Sequence, residues 1–94
     1  RLTPEGVATL TIGGGPGGAT AVHVNATAVG GTGAGFLTLW PCDQPRPLAS
    51  NVNFVDGRPV PNAAAVRLAP GNKICVVSNV PTDVIVDVFG FYVT

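Results

Sequence analysis

Cys42 and Cys75 offer the clearest chemistry in this 94-residue chain. An even pair of cysteines in a small domain of secreted type reads as a disulfide. A zinc site would need four ligands, and His23 is the single further soft donor, so no metal site is expected. A redox pair would sit as Cys-x-x-Cys. With 32 residues between the two cysteines, loop-closure entropy puts the bond at roughly 3.5–4 kcal/mol, and reduction is expected to loosen the proline-rich connector after Cys42 first.

Catalytic groups are sparse. Ser50 and Ser78 lie in strand-like runs without a Gly-x-Ser-x-Gly elbow. A triad would have to recruit His23 from the middle of an alternating run, where it reads as a residue of the polar face. Asp83 and Asp87 share one strand face, but four residues of strand separate them by ~13 Å, whereas glycosidase carboxylates stand ~5–9.5 Å apart. Asp87 is expected to hydrogen-bond Asn25 or Asn53. Calcium binding by these aspartates with Asp43 or Asp56 lacks the Asp-x-Asp-x-Asp-Gly loop. The cluster Gly13-Gly14-Gly15-Pro16-Gly17-Gly18 is followed by a strand pattern rather than a helix, which reads as a hairpin connection and not as a phosphate cradle. No cofactor is implied, and the chain is read as a non-enzyme.

Recognition by surface is what remains. Trp40, Phe36, Phe89, Phe91 and Tyr92 could stack on sugar rings or anchor a partner, or fill the core. Phe36 and Trp40 share one strand parity and Leu37 and Leu39 the other, so a strand buried on both faces would bury all four. Arg46, between Pro45 and Pro47 on the connector, presents its guanidinium from a stiff loop. Trp40, Arg46 and Tyr92 are the expected binding residues. The sequon Asn25-Ala26-Thr27 is read as an ordinary strand face.

The elements that must position these groups are strands. Apolar residues make up 46% of the chain and charged residues 11%, a composition that folds. Five basic residues balance five acidic ones, which leaves no electrostatic footprint for nucleic acid. No apolar run reaches the ~18 residues of a membrane span. Alternation marks seven runs: 7–12, 21–28, 35–40, 48–55, 64–68, 73–77 and 83–89. Val22, Val24 and Ala26, Val52 and Phe54, Ala64, Val66 and Leu68, and Val84, Val86 and Val88 are the expected inward rows. Ala69-Pro70-Gly71-Asn72 has the composition of a tight turn. Seven short strands without a helix describe an all-β fold, an antiparallel sandwich with one disulfide, forming a single module over residues 1–94.

Several stretches together resemble a repeated β-rich accessory module of large exported actinobacterial proteins, often found beside cell-wall or protein hydrolases. They are Ala21-Val22-His23-Val24-Asn25-Ala26-Thr27, Gly35-Phe36-Leu37-Thr38-Leu39-Trp40-Pro41-Cys42, Arg46-Pro47-Leu48-Ala49-Ser50-Asn51-Val52-Asn53-Phe54, Val60-Pro61-Asn62, Lys73-Ile74-Cys75 and Thr82-Asp83-Val84-Ile85-Val86-Asp87-Val88-Phe89-Gly90-Phe91-Tyr92. Such modules open with Arg-Leu-hydrophobic-Asp-Thr-Arg, which this chain lacks. The resemblance implies a secreted or cell-surface location and a non-catalytic role, with the chain read as a piece of a longer exported protein. The expected function is attachment, through contact with cell-wall or other extracellular polysaccharide and with neighbouring domains of the parent chain. A purely structural spacer repeat is the alternative. A small hydrolase would require a cleft joining His23 to a serine or carboxylate.

Overall fold

The structure, a computed structural model, describes residues 2–55 and 57–93. Its strands are β1 (Ala8–Thr11), β2 (Ala19–Val29), β3 (Gly35–Pro41), β4 (Val52–Phe54), β5 (Val60–Arg67), β6 (Lys73–Ser78) and β7 (Asp83–Val93). They form two antiparallel sheets, one ordered β1-β6-β3-β4 and the other β5-β2-β7. The domain is the all-β, seven-stranded sandwich that alternation implies.

The core lies between the sheets. From β2 it takes Val22, Val24, Ala26 and Ala28, from β3 Leu37 and Leu39, from β6 Ile74 and Val76, and from β4 Val52 and Phe54. Each row follows the two-residue period of a strand with one face on the core. Ala8, Leu10, Ala64, Val84 and Val86 pack against it from edge strands. Val88 departs from its expected place in the core: it is 41% exposed, although it lies opposite the sealed Val24.

Consecutive strands pair in a single case, β3 with β4. The glycine cluster after β1 is therefore not a hairpin but a crossing between sheets, because β1 pairs with β6 while β2 pairs with β5 and β7. The tight turn between β5 and β6 has Gly71 and Asn72 at φ 82° and 60°, a left-handed region that these two residue types tolerate best, and it closes with an Ala69–Lys73 bridge. The run 48–55 forms a strand over Val52–Phe54 alone; Leu48 to Ser50 belong to the connector and are exposed. β7 runs on past Phe89 to Val93, through a register shift opposite His23 and Val24.

Candidate functional site

The outer face of the four-stranded sheet is covered, and its cover creates a cleft. Trp40 and Cys75 are cross-strand neighbours on β3 and β6, and with Val77 they form a second small apolar cluster against Cys42. Cys42 and Cys75 are disulfide-bonded, with Cα atoms 5.1 Å apart. Thr9 Oγ1 lies 3.7 Å from the Cys75 sulfur. Pro41 fixes the exit of β3, and the bond draws the following residues back across the sheet.

The far end of the connector is held by hydrogen bonds. The buried Thr38 hydroxyl donates to the Ala49 carbonyl at 2.7 Å, and Asn51 N–H donates to the Leu37 carbonyl at 2.8 Å. Asn51 Oδ1 accepts from Leu39 N–H at 2.8 Å, standing in for a missing strand neighbour. The N-terminal segment joins the cover, with Glu5 N–H donating to the Ser78 carbonyl at 2.8 Å. Arg46 then forms an ion pair with Glu5, linking the connector tip to that segment. A second pair, Arg67 to Asp43 at 3.2 Å, ties the connector to β5.

Between connector and sheet lies a cleft of about 590 Å³, lined by Glu5, Phe36, Thr38, Arg46, Pro47, Leu48, Ala49 and Ser50. Half-buried Phe36 and the aliphatic connector residues supply apolar wall, while Arg46, Glu5 and Ser50 bring exposed polar groups. Concave, mostly apolar walls with a few polar groups are the usual composition of a small-molecule site.

The expected binding residues do not converge. Trp40 is 7% exposed, packed with Cys75 and Val77 against Cys42. Tyr92 is half-exposed, opposite Ala21 on the other sheet. Arg46 alone reaches the cleft. Phe36, an aromatic for which the sequence left stacking and packing both open, lines the same cleft and is half-buried near the start of β3.

The remaining chemical groups are scattered. Ser78 is buried and its hydroxyl donates to the Val80 carbonyl at 2.6 Å. Ser50 Oγ lies 3.1 Å from Asn53 Oδ1. His23 is on the outer face of the three-stranded sheet, edge-on to Phe89 with ring centroids 6.1 Å apart. Asn25 stands opposite Asp87, yet its amide donates to Thr27 Oγ1 at 3.2 Å, and Asn53 lies on the other sheet. Asp56 lies outside the described residues. Among the described residues no three His, Cys, Asp or Glu side chains gather as a metal site, and no helix is long and apolar enough to cross a membrane.

Comparison with protein-family models, curated proteins and solved structures gave no match.

Proposed function

We propose that this domain is a non-catalytic extracellular attachment module whose connector cleft takes a saccharide unit of the cell wall or another extracellular glycan. The observation that carries the reading is the cleft itself. Phe36 offers a platform on which the apolar face of a sugar ring can lie, and Arg46, Glu5 and Ser50 stand at hand for its hydroxyls. The disulfide and the Thr38–Ala49 bond hold both ends of the connector, so little ordering entropy is lost on binding. A disulfide as a structural brace also suits an oxidising, extracellular compartment.

The spacer reading draws on one observation: the Arg46 guanidinium is already engaged by Glu5. Calorimetric titration of the oxidised domain with peptidoglycan fragments and a polysaccharide panel separates the two. Saturable binding, weakened at least ~10-fold by Phe36→Ala with the unfolding midpoint kept, supports attachment. Absence of binding to every glycan leaves the spacer.

A further inference from the structure

The two open sides of the sandwich are not alike. Where β4 and β5 meet, Asn62 donates its amide to the Asn51 carbonyl at 2.6 Å and ties the sheets together. On the other side β1 and β7 border an apolar seam of about 360 Å³, walled by Leu10, Ile12, Val84, Val86 and Val88. β1 has four residues and β7 eleven, so β1 cannot shield the whole length of its neighbour.

The valines of β7 record the gap. Val84, Val86 and Val88 lie opposite Ala28, Ala26 and Val24. Those three β2 residues are at most 1% exposed, whereas the valines in the same inward rows are half-buried or, at Val88, 41% exposed. One strand in from the edge the rows are sealed, and at the edge they are open.

The backbone shows how they would be closed. Leu2 N–H donates to the Thr82 carbonyl at 2.8 Å, and Thr82 N–H donates to the Leu2 carbonyl at 3.3 Å. Thr82, just before β7, thus directs both its groups away from β2. In an extended strand, alternate residues direct their N–H and C=O to the same side, so those of Val84, Val86 and Val88 point to the same free edge, which pairs with no strand among the described residues. Such an edge is a template for pairing.

We propose that this edge and its seam seat an extended strand formed by the polypeptide leading into Arg1, antiparallel to β7. The Leu2–Thr82 bridge is antiparallel, so each step upstream from Leu2 advances one residue along β7. The first, third and fifth residues before Arg1 then fall opposite Val84, Val86 and Val88. Leu2 and Thr82 are both buried, which fixes the inward parity: those three positions point into the seam and take apolar side chains. The fourth falls opposite the exposed Asp87 and suits a cation. The register shift after Val88 ends regular pairing there, which limits the strand to about five residues beyond Arg1.

The test extends the chain upstream of Arg1 by Val-Lys-Val-Thr-Val, or by Thr-Val-Lys-Val-Thr, which turns its valines outward. Amide exchange at Val84, Val86 and Val88 is expected to slow at least ~10-fold with the first extension and to match the unextended chain with the second. Equal exchange with both extensions overturns the proposal. It is also overturned if the unextended chain sediments as a dimer with those amides already protected, because a second copy then holds the edge.

Discussion

Breaking the Cys42–Cys75 bond is the most informative perturbation. The cysteines are 33 residues apart in sequence, and a loop of that length restricts the unfolded chain by about 3.8 kcal/mol at 25 °C. A domain of this size has roughly 5–14 kcal/mol of stability in all, so the loss is a large fraction. With a urea slope of about 1–2 kcal/mol/M, the midpoint should fall by about 2–4 M, and the slope should rise as the uncrosslinked denatured chain expands. Reduced wild-type protein keeps both sulfur atoms and isolates the cross-link. The Cys42→Ala, Cys75→Ala pair also removes packing against Trp40 and should lose about 1 kcal/mol more. Fluorescence of the single tryptophan, buried beside the bond, follows unfolding. Hydrogen exchange should rise first at Gln44 and Asn51, whose amides bond to Pro41 and Leu37 across the connector, before it rises in β2. A loss below about 1 kcal/mol on reduction, or exchange that rises first in β2, refutes the reasoning.

Two substitutions probe other contacts. Thr82→Val keeps the shape of a fully buried residue but removes the hydroxyl that donates to the Val29 carbonyl at 3.1 Å; a loss of about 1–2 kcal/mol is expected in urea unfolding. Arg46→Ala deletes a surface ion pair and should change stability by less than about 1 kcal/mol in the same assay, so that any larger effect on glycan titration belongs to the cleft.

Strand parity was legible on the central strand β2. Val22, Val24 and Ala26 alternate with polar residues on a strand that has neighbours on both sides, so period and burial coincide. Burial that depends on non-local cover was not legible. Trp40 lies on an outer face; the two apolar parities of its strand allowed for burial there, but its cover by Cys75, Val77 and Cys42 comes from elsewhere in the chain. Val88 shares its inward row with Val24, but it belongs to an edge strand, and edge position follows from pairing rather than from composition. The glycine cluster was misread for the same reason: a hairpin and a sheet-to-sheet crossing use the same residues, and the partners of the flanking strands decide between them. The cysteines alone carried long-range information directly, since a covalent pair in a chain with two candidates allows one answer. Of the cleft, Arg46 was visible through its flanking prolines, while Phe36 stood among aromatics for which stacking and packing were both open.

The clamped connector also bears on how such a domain can diversify. Its two ends are fixed, by Cys42 to Cys75 and by Ala49 to Thr38, while residues 43–48 between them are all exposed. Sequence drift within that arc is insulated from folding, as in a hypervariable loop on an antibody framework. A library randomised over 43–48 is therefore expected to fold on one scaffold, which would make the domain a display platform.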